Sequence, residues 1–156
     1  MINFNRIEDN IFIGSAPSHV VDVQRLDKQL KITAILSLQT DKDFRHYKIG
    51  IDGLLDAYKM SGIEFHRYPI TDFDADDMAR KLVAPVKALK QLLMQEHRVY
   101  VHCNAGICRA PATVLGYLHA YEGMPLDEGL TYLRTKRPIA NPFMDSVRQA
   151  MQEFTD

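Results

Sequence analysis

Residues 99–111 read Val99-Tyr100-Val101-His102-Cys103-Asn104-Ala105-Gly106-Ile107-Cys108-Arg109-Ala110-Pro111. The first four carry the β-branched and aromatic side chains of a strand, and Pro111 is of the type favoured where a helix begins. The segment is therefore predicted as strand, short loop and helix. A junction of this kind turns several backbone N–H groups, and the positive end of the helix dipole, toward one point that suits an anion. Gly106 supplies the backbone freedom the loop needs. Arg109 adds a planar fork matched to two phosphate oxygens. Cys103, at the first loop position, shares this positive potential, which favours a thiolate nucleophile. The combination points to thiolate attack on a phosphoester. Charge in the transition state would be held by Arg109 and by the amides of Asn104, Ala105, Gly106, Ile107 and Cys108.

Outward from this segment, strands and helices alternate. Residues 10–14, 32–38 and 63–68 read as strands, and 19–30 and 51–60 as helices. Leu82, Val86, Leu89 and Leu93 share one face of a long helix, in which Pro85 predicts a kink or a late start. Two more helices are expected over about 126–136 and 142–154, while 39–48 and 71–77 read as loops. The pattern predicts an α/β fold, a central, mostly parallel sheet of about four to five strands flanked by helices. One domain over residues 1–156 is expected at this length.

Nineteen Lys and Arg balance 20 Asp and Glu, which argues against nucleic acid or an anionic membrane as partner. Met1 to Glu8 resembles no secretory signal, and no apolar run approaches the roughly 18 residues of a membrane span. Two cysteines are too few for a disulfide framework and imply a reducing, cytoplasmic setting. Histidines 19, 46, 66, 97 and 119 lack metal-ligand spacing, so neither metal nor cofactor is expected. A monomer is the default.

Displacement of an alkoxide or phenoxide also needs a proton for the leaving oxygen. Thr71-Asp72-Phe73-Asp74-Ala75-Asp76-Asp77 supplies four carboxylates, and such crowding favours keeping one of them protonated. Asp76 and Asp77 read instead as caps of the following helix. His102, beside the nucleophile, is suited to orienting the loop.

His102-Cys103, five residues and Arg109 match the HCxxxxxR signature of the cysteine-dependent tyrosine and dual-specificity phosphatases. Within it, Cys103-x-Ala105-Gly106-x-x-Arg109 resembles the dual-specificity branch. Arg109-Ala110-Pro111 is similar to a subset, the glucan phosphatases of plant starch metabolism. Leu38-Gln39-Thr40-Asp41-Lys42-Asp43, Asp72-Phe73-Asp74-Ala75 and Ser146-Val147-Arg148 extend that resemblance from about residue 6 to the C-terminus.

The resemblance implies metal-independent hydrolysis through a phosphocysteine intermediate. Cys103 would be the nucleophile, Arg109 the phosphate ligand, His102 a tuning residue, and Asp72 the acid with Asp74 in reserve. The expected substrates are phosphotyrosine and phosphoserine/threonine in proteins. A phosphorylated glucan is the alternative, and a non-catalytic phosphate-binding module the second.

Two positions depart from the pattern. Ala110 stands where most dual-specificity enzymes carry a hydroxyl that assists the second step. Cys108 stands where the glucan subset favours glycine, and it reads either as a small packed residue or as a thiol that could resolve oxidised Cys103. Phe73, next to the acid, is the best candidate for an aromatic substrate platform. Tyr47, Tyr58 and Phe143 read more readily as packing. Lys42, Arg45, His46 and Lys48, together with Arg134, Lys136 and Arg137, are candidates for a basic rim.

Overall fold

Three four-residue strands, Ile11–Gly14, Ala34–Ser37 and Val99–His102, are buried at every position. Such segments are stable only where helices cover both faces of a parallel sheet. The computed structural model, which describes residues 1–154, has this arrangement. The last two positions of the predicted 1–156 domain lie outside the described residues. The strands β1 (Phe4–Glu8), β2 (Ile11–Gly14), β3 (Ala34–Ser37), β4 (Glu64–Arg67) and β5 (Val99–His102) form one sheet in the order β1-β2-β5-β3-β4. All pairings are parallel except β1 with β2.

The helices are α1 (Val20–Lys28), α2 (Asp41–His46), α3 (Ile51–Met60), α4 (Ala75–Lys81), α5 (Val83–Met94), α6 (Arg109–Glu122), α7 (Leu126–Lys136) and α8 (Met144–Gln152). The twofold period of the strands divides the core into two layers. Ile11, Ile13, Ala34, Leu36, Val99 and Val101 face α4 to α8 through residues such as Leu82, Val86, Val114, Leu118 and Val147. Phe12, Ile35 and Tyr100 face the other way, onto Val23 and Leu26 of α1 and Leu54 and Tyr58 of α3.

The predicted strands and helices lie where expected, with four corrections. The edge strand β1 was not anticipated; only Ile7 within it is buried, so it carries little alternating signal. The loop read at 39–48 contains α2, nucleated by a capping box in which Thr40 Oγ1 accepts from Asp43 N and Asp43 Oδ2 accepts from Thr40 N. The helix expected around Pro85 is two helices meeting at Leu82, and Leu92 rather than Leu93 completes the buried face of α5. α6 begins at Arg109, two residues before Pro111.

Gly14, Ser37, Arg67 and His102 end their strands at the same side of the sheet, so the loops that follow converge there. At the opposite ends of β2 and β5 a cleft of about 690 Å3 is lined by residues including Glu8, Tyr117 and Tyr132. Burial, with Glu122 alongside, pushes the Glu8 carboxyl from 4.5 up to about 7. The folded chain therefore holds a proton that the unfolded chain releases. Stability is expected to fall as pH rises from about 4.5 to 7. Glu8→Gln should flatten that part of a plot of melting temperature against pH; an unchanged slope would contradict this. Among the described residues, no helix is long and apolar enough to cross a membrane.

Candidate active site

Four loops meet at the carboxyl edge of the sheet, and the one after β5 forms the cradle. Its carbonyls are all engaged on the outside. Cys103 O accepts from the His102 ring at 3.0 Å, Asn104 O from Ala16 N at 2.9 Å, and Ile107 O from Asn141 N at 2.6 Å. Ala105 O and Gly106 O accept from Arg137 Nη2 at 3.1 Å and Nε at 2.8 Å. In a trans peptide the N–H points opposite to the preceding C=O. Carbonyls tied outward from Cys103 to Ile107 therefore turn the amides of residues 104–108 inward. Gly106 completes the curve at φ +71°, where a Cβ would lie 2.6 Å from Gly14 O. No L side chain fits there without moving backbone.

Cys103 is 3% exposed at the mouth of β5, and Arg109, 1% exposed, occupies the first turn of α6. Arg109 Nη1 is fixed by Asp43 Oδ2 at 2.7 Å, Ile70 O at 2.8 Å and Leu38 O at 3.3 Å. Nε and Nη2, both buried, have no hydrogen-bond partner among the described residues. Nη2 stands 3.3 Å from Asp72 Oδ2, an ion-pair distance without hydrogen-bond alignment. Two parallel donors of a guanidinium, desolvated and without hydrogen-bond acceptors, are costly unless an anion completes them.

His102 is buried, and a carbonyl can only accept, so its Nδ1 carries the proton given to Cys103 O. Burial, reinforced by Arg109, pushes the imidazole down to about 4 against the pull of that bond, so the ring is neutral at neutral pH.

The acidic segment separates into distinct duties. Asp72 reaches the cradle, with Oδ2 also 3.3 Å from Asn104 Nδ2 and Oδ1 accepting from Phe73 N. Asp74, the predicted reserve, is the N-cap of α4 and accepts from Asp77 N at 2.9 Å. Asp77 does not cap, contrary to expectation. It is buried and accepts from Thr71 N, Arg80 and Lys81. Burial works to raise its carboxyl, but the Thr71 amide and Lys81 outweigh it and hold the group near about 2. Crowding thus protonates nothing at Asp77, because each negative charge there finds its own donor.

Phe73 is 88% exposed with φ +60°, an unusual backbone for a non-glycine residue. Tyr47, 55% exposed, borders a hollow of about 270 Å3 beside the loop, shared with Ala16, Ser18, Ile49, Asn104 and Ala105. Tyr58 is buried in the core layer under α1 and α3, and Phe143, partly buried, packs against the opposite layer. Cys108 is partly buried with the Phe143 amide as partner, and burial pushes its thiol up to about 11. A thiol held protonated in this way fits packing better than rapid attack on an oxidised neighbour.

Two residues of the site were not assigned these places from sequence. Asp43 is buried and bridges Arg109 and Asn104. Burial opposes its ionisation, but Arg109, the Thr40 amide and Asn104 draw its carboxyl below the usual range. Arg137, expected at the rim, is fully buried beneath the loop, and its Nη1 continues to Asn5 Oδ1 at 2.8 Å. Lys42, Arg45, His46 and Lys48 are exposed as expected. Among the described residues no group of three or more His, Cys, Asp or Glu is placed to hold a metal ion.

Residues 11–155 match the family model of the dual specificity phosphatase catalytic domain. Laforin of Mus musculus is 32% identical over an alignment covering 99% of this chain and 50% of that protein. The amyloplastic phosphoglucan phosphatase DSP4 of Castanea sativa is 33% identical, over 98% of this chain and 41% of its own length. This chain thus spans half or less of the relatives it matches. The crystal structure of PTPMT1 superposes with a TM-score of 0.77 at 18% identity, covering 96% of this chain and 92% of that one. That likeness concerns the fold.

Proposed function

This chain belongs to the dual specificity phosphatase catalytic-domain family, and from that premise we propose that it hydrolyses phosphate monoesters through a phosphocysteine intermediate. The observation that carries the reading is the pair of buried, unpartnered donors on Arg109, Nε and Nη2, beside Cys103 and an inward ring of amides.

A phosphate dianion would take that fork and the amides of Asn104, Ala105, Gly106, Ile107 and Cys108. Cys103 Sγ attacks phosphorus as the ester P–O bond breaks, and Asp72 passes a proton to the departing oxygen. Water then attacks phosphorus, losing its proton to Asp72, and the thiolate leaves. Neutral His102, bonded to Cys103 O, fixes the first turn of the loop. Ala110, fully buried, offers no hydroxyl to the second step. Asp72→Asn is expected to lower kcat on phenyl phosphate by about 10²- to 10⁴-fold. A rate near that of the parent chain would remove Asp72 from the mechanism.

Phosphotyrosine and phosphoserine/threonine in proteins are one substrate class that suits the family. A phosphorylated glucan is equally supported. A phosphoglucan phosphatase aligns along nearly the whole chain at 33% identity. Exposed Phe73 and Tyr47 offer flat apolar faces near the cradle. Side-by-side release of phosphate from phosphopeptides and from phosphorylated amylopectin separates the two. Turnover of neither, with tungstate still bound, would instead favour a phosphate-binding module.

A further inference from the structure

Asn104 does more than present a backbone amide. Its side chain joins three of the loops that build the site. Oδ1 accepts from Gln39 Nε2 at 2.8 Å, which fixes the orientation of the amide. Nδ2 therefore faces two carboxylates, Asp43 Oδ1 at 3.0 Å and Asp72 Oδ2 at 3.3 Å. Gln39 is 2% exposed, and Asp43 is itself locked to Arg109 at 2.7 Å and to the Thr40 amide at 2.9 Å, so the Asn104 side chain is anchored.

Asp72 has no comparable support of its own. It lies on an irregular segment before α4, it is partly exposed, and among the described residues its other oxygen is bonded only to the next residue's N–H. Its remaining polar neighbour, Arg109 Nη2, is one of the donors that substrate phosphate would claim. Once phosphate binds, Asn104 Nδ2 is the neighbour that stays.

We propose that Asn104 is a positioning residue, whose side-chain amide holds Asp72 Oδ2 at the cradle while Arg109 turns to the substrate. The proposal rests on the reading of Asp72 as the proton donor. It adds a division of labour in the loop: the Asn104 backbone serves phosphate and its side chain serves the acid.

A contact that acts through the acid matters only when the leaving group needs a proton. Asn104→Ala is expected to slow kcat on phenyl phosphate by about 10- to 100-fold, the usual worth of a hydrogen bond to a charged group. The effect on 2,4-dinitrophenyl phosphate, whose leaving group departs unprotonated, is expected to be under about threefold, as for a site that does not couple to the reaction. In the Asp72→Asn background the further loss on phenyl phosphate should vanish. Tungstate affinity by calorimetry should stay within about threefold of the parent, because the backbone amide is retained.

Asn104→Asp keeps the shape but sets a carboxylate against Asp43 and Asp72, and it should be at least as slow as Asn104→Ala on phenyl phosphate. Equal slowing of both esters, a loss that persists without Asp72, or collapse of tungstate binding would each overturn the proposal. Failure of the underlying reading has a different signature: Asp72→Asn alone would then hydrolyse phenyl phosphate at the parent rate.

Discussion

Cys103→Ser is expected to reduce turnover of para-nitrophenyl phosphate to background while leaving tungstate bound. The hydroxyl of serine is a far weaker nucleophile than a thiolate at neutral pH. The loss should be on the order of 10⁴-fold or more, as when the nucleophile is removed from other enzymes that form a covalent intermediate. The cradle itself does not depend on sulfur. Its carbonyls are held by Arg137, Ala16, Asn141 and His102, and its fork by Asp43 and Ile70. Oxyanion affinity is therefore the control that separates lost chemistry from a lost site. A serine variant that turns over at more than a trace would sink the thiolate mechanism.

Arg109→Lys tests geometry rather than charge. Arginine here does two things at once: Nη1 anchors to Asp43 at 2.7 Å and to Ile70 O at 2.8 Å, leaving Nε and Nη2 free and parallel. A single ammonium can satisfy Asp43 or reach phosphate, and it cannot form a planar pair of donors. By analogy with arginines that stabilise phosphoryl transfer elsewhere, kcat/KM should fall by about 10³- to 10⁵-fold, with tungstate affinity falling alongside. Retaining a positive charge beside Asp43 avoids the roughly 3–5 kcal/mol cost of stranding a buried carboxylate. The folded fraction should therefore remain high enough to measure. Activity within tenfold of the parent would mean that the fork is not what holds the transition state.

Much of this was legible along the chain because the central motif is local. Strand, loop and helix follow one another from Val99 to Glu122, and each has a signal of its own: β-branched residues, one glycine, then a proline in the first helical turn. The short, continuous apolar runs of β2, β3 and β5 are likewise written in adjacent residues.

What stayed hidden is held by partners distant in sequence. Arg137 reads as one more surface cation after α7, and only the assembled fold reveals that its guanidinium lies under the loop. Asp43 looks like a solvated charge in a polar stretch until Arg109, 66 residues later, folds onto it. The carboxylates at 71–77 differ in role for the same reason. Asp74 and Asp77 are consumed by the start of α4 and its lysine, and spacing alone does not say which oxygen faces which donor.

The clamp of Arg137 also has a consequence in time. Its guanidinium holds Gly106 and Ala105, 31 and 32 residues before it, and also Asn5, 132 residues before it. Contacts of such long range form late, after the entropy of closing the intervening chain has been overcome. A nascent chain can pair β5 with β2 and β3 while the carbonyls of residues 105 and 106 still lack their donor. The hollow that would arm Cys103 is then unfinished until α7 has emerged and docked. The cradle is thus completed by a side chain that follows the carbonyls it holds by 31 and 32 residues, so its shape depends on α7 being docked.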